Sequence, residues 1–186
     1  TLPNLNLFKM DVSEKAKNKH LEGYFVLISL KTLNEINSIY GIGMGDKILV
    51  ETARCIRHVT GETDTIARVG GNEFLIWVDE EEWVKSGKNI DLVNKSFFKM
   101  FNIKEVANRI EYYFCYAPYD SSKDNIEESI QKVNLALAYA KKYKKNHLVA
   151  YDKRSEKRLR RSTTLMELLR KTIFKRAFTI NYQSKV

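Results

Sequence analysis

Arg68-Val69-Gly70-Gly71-Asn72-Glu73-Phe74 joins two strand-like runs, residues 64–69 and 73–78. Two adjacent glycines between β-branched and aromatic residues predict a tight hairpin turn, since glycine reaches positive φ without a Cβ clash. Such a turn brings bare backbone close to a ligand phosphate and presents the carboxylate of Glu73 from a fixed sheet edge. An isolated Gly-Gly pair is more often an ordinary hairpin, so its surroundings decide.

Upstream, Tyr24-Phe25-Val26-Leu27-Ile28-Ser29-Leu30 is an almost unbroken apolar run. It is short and rich in aromatic and branched residues, which predicts a strand buried on both faces. A period of two places Leu27, Ser29 and Lys31 on one side and Ile28 and Leu30 on the other. Polar residues at the end of such a strand mark either a site or the point where the strand surfaces. A short helical piece then ends at Gly41. A second helix is expected from about residue 44 to 59, with Ile48, Leu49, Thr52, Ile56 and Val59 as its apolar stripe. The Gly41-x-Gly43-x-Gly45 spacing is not a dinucleotide fingerprint, because a helical stretch precedes it and the third glycine is out of place.

The remaining elements follow the same periodicities. Residues 2–19 have helical spacing after Pro3. Asp79-Glu80-Glu81-Glu82 predicts an acidic helix start, and Ile90, Val93, Phe97 and Phe101 continue at helical spacing. Residues 109–117 alternate as a strand, 118–124 form a loop, 126–142 form an amphipathic helix, and 147–151 close as a strand. Beyond Tyr151 a highly charged helix spans 153–174, and Thr164-Leu165-Met166-Glu167 reads as a capping box that restarts it. Residues 178–186 begin a further strand.

Composition sets the bounds. The 186 residues, 44% hydrophobic and 11% aromatic, suffice for one domain with a core and an appendage. No run approaches the ~20 apolar residues of a membrane span, and no signal-peptide pattern opens the chain. It begins at Thr1 and reads as a piece of a longer protein. The net charge of +9 is concentrated in residues 141–145 and 153–161. Such runs suit phosphorylated ligands or solvated helix faces, and no zinc-finger or RNA-binding consensus points to nucleic acid. Cys55 and Cys115 stand in apolar surroundings and read as core residues of a reducing compartment. His20, His58 and His147 lack metal-ligand spacing.

These stretches together resemble the GGDEF family, diguanylate cyclases that condense two GTP into cyclic di-GMP. The hairpin is similar to the family's Gly-Gly-Asp/Glu-Glu-Phe, with Asn72 at the third position. Ile36, Asn37, Tyr40, Gly41, Gly45 and Asp46 match or nearly match the family's Phe-Lys-x-Ile-Asn-Asp-x-x-Gly-His-x-x-Gly-Asp; Leu33, Asn34, Ser38 and Ile42 do not. The opening resembles Leu-Pro-Asn-Arg, with Leu5 for Arg. Residues 138–146 resemble Ala-Leu-Tyr-x-Ala-Lys-x-x-Gly-Arg-Asn, with Lys144 for Gly and Lys145 for Arg. The tail Tyr182-Gln183-Ser184-Lys185-Val186 resembles the Tyr-Gln-Pro-Lys-Val that opens an EAL domain, the cyclic di-GMP phosphodiesterase family. The resemblance implies an α/β (α+β) fold with a central, mostly antiparallel five-stranded sheet flanked by helices, nucleotidyl-cyclase-like, plus a C-terminal linker helix. It implies three parts: a degenerate GGDEF domain over 1–151, a linker helix over 152–174, and the first strand of a truncated EAL domain over 175–186.

What the resemblance implies for chemistry is divided. The family holds two divalent ions with Asp-x-Asp at the end of the first buried strand, the carbonyl between them, and the hairpin acid. Those positions are Ser29, Leu30, Lys31, Asn72 and Glu73, so three carboxylates are replaced and one has become a cation. Lys31 is expected to repel Mg²⁺ and to pair with Glu73 or a phosphate. Glu73 is then a vestigial catalytic residue. The nucleotide-binding positions are better kept: Asn37 and Asp46 for the guanine edge, Gly70 and Gly71 in the hairpin, Lys141 and Lys145 for phosphate. From the residues alone, Asp46 can equally cap a helix. The family's inhibitory Arg-x-x-Asp becomes Gly61 and Asp64, which lacks the guanidinium fork.

The reading is a catalytically degenerate GGDEF domain that regulates an adjoining EAL domain. The alternatives are a residual cyclase and a dimerisation scaffold that binds no nucleotide. No cofactor follows with certainty; GTP with a single Mg²⁺ is the candidate. Expected partners are a guanine nucleotide, the chain's own EAL domain and a second copy in a homodimer, with no nucleic acid. The expected location is cytoplasmic, with a parent protein that can be membrane-tethered.

Overall fold

The computed structural model describes residues 2–61, 64–99, 103, 106, 109–143 and 148–174. Lys145 and residues 175–186, with their EAL-like sequence, lie outside the described residues. The chain divides into two compact units, Thr1–Tyr151 and Asp152–Val186.

In the first unit, α1 (Leu5–Asn18) leads to β1 (Glu22–Leu30), then α2 (Leu33–Tyr40) and α3 (Ile42–Val59). The hairpin strands β2 (Thr65–Arg68) and β3 (Glu73–Asp79) follow, then α4 (Glu80–Lys85), α5 (Ile90–Lys99), β4 (Tyr112–Asp120), α6 (Ile126–Tyr143) and β5 (Leu148–Ala150). The five strands form one mixed sheet in the order β2-β3-β1-β4-β5. Only β4 and β5 run parallel; the other pairs are antiparallel. This is the expected five-stranded, helix-flanked sheet.

The central position of β1 explains its unbroken hydrophobicity. Residues 25–30 are all buried. Val26, Ile28 and Leu30 pack on the face covered by α2, α3 and α5, whose contributions include Ile36, Ile48, Ile56 and Phe97. Phe25 and Leu27 pack on the other face with Phe8 and Val12 of α1 and Val133, Leu137 and Ala140 of α6. Phe25 is the hub of that layer, with ring centroids 5.8 Å from Phe8, 5.8 Å from Trp77 and 5.0 Å from Tyr119. Tilted and edge-on pairs of this kind add ~0.5–1.5 kcal/mol each beyond burial.

Several local expectations need correction. Neither Gly70 nor Gly71 enters the left-handed region; among the described glycines only Gly41 and Gly87 do. The loop is long enough to close without it, because Val69 N–H reaches the Glu73 carbonyl at 2.9 Å and the Arg68 guanidinium donates to the Gly71 carbonyl at 2.6 Å. Strand β4 runs through Pro118 to Asp120 where a loop was expected. There β4 is an edge: its pairing with β5 ends at Tyr116 and Ala150, so the missing proline N–H costs no ladder bond. Helix α3 starts at Ile42, two residues early, after Gly41 at φ 84°.

In the second unit, α7 (Lys153–Phe174) is one continuous helix. Ser155 N–H donates to the Asp152 carboxylate at 3.2 Å, which caps its start. The expected restart at Thr164 is absent. Its hydroxyl donates to the Arg160 carbonyl at 3.2 Å, one turn back, as threonines do inside helices.

Candidate functional site

The register of the sheet builds the site. Ser29 on β1 lies directly opposite Glu73 on β3. One step on, Leu30 N–H donates to the Asn72 carbonyl at 3.0 Å, so the hairpin is tied to the end of β1. Asn72 answers with its side chain: Nδ2 donates to the Leu30 carbonyl at 2.6 Å. Two oxygens could not face each other at that distance without a positive group between them. The amide hydrogen supplies it, which also fixes which end of the amide points inward.

Among the described residues the Glu73 carboxylate has two partners. Lys141 Nζ on α6 sits 2.9 Å from its Oε1, and the buried Ser29 hydroxyl lies 3.4 Å from the same oxygen. Lys31 pairs with Glu111 instead of Glu73. The expected pairing of Lys31 with Glu73 is therefore replaced by one with Glu111. The Lys31 backbone N–H also bonds the Glu111 carbonyl, at 2.7 Å, on the β4 side of the strand, opposite the Leu30 N–H that bonds the hairpin. The hydrogen bond to Glu111 raises the Lys31 pKa above its ordinary value, so Lys31 is a cation throughout the physiological range.

These residues do not fit a pair of divalent ions. Hard cations need several oxygen ligands, chiefly carboxylates. Here one carbonyl faces an amide donor and one carboxylate faces an ammonium. Among the described residues, no group of three His, Cys, Asp or Glu is placed to hold a metal.

The α2–α3 corner is different. Among the described residues, Asn37 Oδ1 is buried without a hydrogen-bond partner. It packs against Gly45, where a Cβ would come within 1.9 Å of that oxygen, so Gly45 is required for the approach. Asp46 is exposed one position further along α3. It lies inside the helix rather than at its cap, which removes the capping explanation for it.

Next to these elements is a cavity of about 560 Å³ lined by Leu2, Leu49, Val50, Ala53 and Phe74, with Arg54, Arg57 and Arg68 among its walls. That volume falls in the ~300–1,000 Å³ range of small-molecule sites. Reading the sequence did not single out Arg54 and Arg57. A signal for Arg57 was present, since Asp46, Val50, Ala53 and Arg57 recur at helical spacing on one face of α3. Glu111 carried no signal, because nothing local shows which residue lies across the sheet from Lys31.

Asp64 is committed to the fold. Its Oδ2 accepts from Trp83 Nε1 at 2.9 Å and from Gly61 N–H at 2.7 Å, and its Oδ1 from Asp79 N–H at 3.2 Å. Burial pushes its pKa up, against the pull of the Trp83 bond. Gly61 thus contributes a backbone donor to Asp64.

A family model described as the diguanylate cyclase GGDEF domain matches residues 1–147. The chain belongs to the GGDEF family. Among curated proteins, this GGDEF domain is 25% identical over 161 residues to the bifunctional diguanylate cyclase/cyclic di-GMP phosphodiesterase MucR of Pseudomonas aeruginosa, covering 87% of the chain and 24% of MucR. It is 38% identical over 79 residues to the diguanylate cyclase TpbB of the same species, covering 41% of the chain and 18% of TpbB. The chain therefore spans only a fraction of the length of the curated relatives it matches. Among solved structures, the isolated GGDEF domain of TpbB from P. aeruginosa superposes with a TM-score of 0.67 at 19% identity, covering 86% of this chain and 95% of that one. The S helix–GGDEF–EAL portion of LapD from Vibrio cholerae, bound to c-di-GMP, superposes at 0.60 with 17% identity, covering 81% and 35%. These likenesses establish the fold. No helix among the described residues is long and apolar enough to cross a membrane.

Proposed function

We propose that this GGDEF domain is a regulatory module that makes no cyclic di-GMP, retains a guanine-nucleotide site, and acts on an adjoining EAL domain through α7. The observation that carries the loss of synthesis is the Asn72 amide on the Leu30 carbonyl at 2.6 Å, which fills the position where the family's hairpin acid meets its metal. Metal polarisation contributes several kcal/mol to such a transition state, and each ~1.4 kcal/mol is tenfold in rate. Incubating the domain with GTP and Mg²⁺ or Mn²⁺ tests the claim. We expect no cyclic di-GMP; turnover at the rate of an active cyclase defeats it.

The retained nucleotide site is supported by the corner. A buried acceptor with nothing to accept is costly, and guanine offers N–H donors to both Asn37 Oδ1 and the Asp46 carboxylate. Asp46→Ala is expected to weaken GTP binding at least about tenfold while leaving folding intact, since Asp46 is exposed. The EAL partner is supported by the tail sequence, by a relative that carries both activities in its name, and by a structural neighbour that joins the two domains. Regulation then requires that the state of α7 differ in free energy between nucleotide-free and nucleotide-bound domains.

A further inference from the structure

We propose that the nucleotide site works without a divalent ion, with the phosphate charge met by the arginines of the α3 cavity. This rests on the reading of the corner as a guanine site and adds what accompanies the ligand. Two independent observations converge on it.

The first is that the groups a cation needs are already engaged. The Leu30 carbonyl accepts from Asn72 Nδ2 at 2.6 Å, and Glu73 is 2.9 Å from Lys141 Nζ. A divalent ion entering here has to displace an amide from one oxygen and an ammonium from the other. It gains a single carboxylate in return, with no second one to complete a shell.

The second is the cavity itself. Its apolar lining, Leu49, Val50, Ala53 and Phe74, suits the ribose of a nucleotide whose base is held at the Asn37–Asp46 corner, and three guanidinium groups stand around it. Arg54 is held by Glu51 in a bidentate pair at 2.8 and 2.7 Å, and Arg68 is held by the hairpin carbonyls. The Arg57 guanidinium makes no hydrogen bond or ion pair within the described residues; its backbone carbonyl accepts from the Thr60 hydroxyl at 3.4 Å. It lies about 16 Å along α3 from Asp46, eleven residues at ~1.5 Å each. A guanidinium that is always charged and has open donors recognises phosphate without metal. Arg57 is therefore the principal phosphate contact, with Arg54 and Arg68 contributing field and further N–H donors.

The experiment is a calorimetric titration of the 186-residue chain with GTP, in Mg²⁺ and in EDTA, for wild type and Arg57→Glu. We expect wild-type affinity to be equal in the two buffers within about twofold, and Arg57→Glu to lose at least about tenfold in both. A loss of about tenfold or more in EDTA overturns the metal-free site while leaving nucleotide binding in place. Metal-free binding that ignores Arg57→Glu overturns the arginine assignment. Absence of binding in either buffer removes the guanine reading and this inference with it. Thermal melting gives a second readout that does not depend on nucleotide. Asn72→Asp places a carboxylate against the Leu30 carbonyl, so its Tm is expected to rise with added Mg²⁺ or Mn²⁺, whereas the wild-type Tm does not. A wild-type Tm that rises with either ion contradicts the proposal.

Discussion

The α2–α3 corner and the hairpin end of β1 handle hydrogen bonding in opposite ways. At the corner, Asn37 Oδ1 is buried with no hydrogen-bond partner among the described residues, and Asp46 is open to solvent. At the hairpin, Asn72, Glu73 and Lys31 each have a partner supplied by the chain itself. Unused capacity invites a ligand; capacity used internally resists one. The family's recognition positions fall in the first region and its metal positions in the second. That contrast is what the proposed reading, a nucleotide site kept beside a metal site lost, rests on.

The most severe way to break the contrast is Gly45→Ala. A mid-helix glycine usually gains up to ~1 kcal/mol on change to alanine. Here the new Cβ would sit 1.9 Å from Asn37 Oδ1 and must drive that side chain out. GTP affinity is expected to drop at least about tenfold, while the unfolding midpoint moves by an amount worth no more than ~2 kcal/mol. Titration and denaturation on the same sample separate the two effects.

Asn72→Ala probes the other side. Removing the amide leaves the Leu30 carbonyl short of a donor, and ~1–3 kcal/mol of stability is expected to go. GTP affinity should hold within about twofold, since the corner is untouched. A large loss of affinity would show that the two regions are coupled after all.

Acid sharpens the picture by testing a pair far from both regions. Burial works against the charge of Asp79, but the Lys19 bond at 2.8 Å and the α4 backbone N–H of Glu82 outweigh it and hold the pKa below 3.8. A lowered carboxylate pKa means stabilisation that is complete above pH ~4 and is lost as pH falls through the folded value. Asp79→Asn should flatten the fall in stability between pH ~5 and ~3 measured by urea unfolding. The smallest effect belongs to Lys141→Met. The pair with Glu73 is half exposed on the lysine side, so at most ~1 kcal/mol is expected, read by thermal melting.

How much the sequence could disclose depended on the range of the interaction. Strand β1 was legible because burial on both faces leaves no polar position to confuse the pattern, and α3 because its apolar stripe repeats over several turns. Asn37, Gly45 and Asp46 were singled out as a motif because they fall in two adjoining helices, but the packing of Asn37 against Gly45 was not readable from it. The pairing of the site charges was not. Lys31 meets Glu111 eighty residues away and Lys141 meets Glu73 across sixty-eight. A strand carries no mark of which neighbour it will take, so Lys31 looked free to reach Glu73. Pro118 misled for a related reason: proline ends a central strand but is tolerated at an edge, and the edge exists only once the short β5 is placed.

The two thiols carry a practical consequence. Cys55 lies in the layer under α3 and Cys115 in the layer under α6, both fully sequestered, with burial pushing the first to about 11 and the second to about 12. Neither reacts with an alkylating reagent until its own side of the sheet opens. The molecule thus contains a built-in two-channel gauge of breathing. Labelling rates at the two sulfurs, followed by mass spectrometry with and without nucleotide, report separately which layer loosens first.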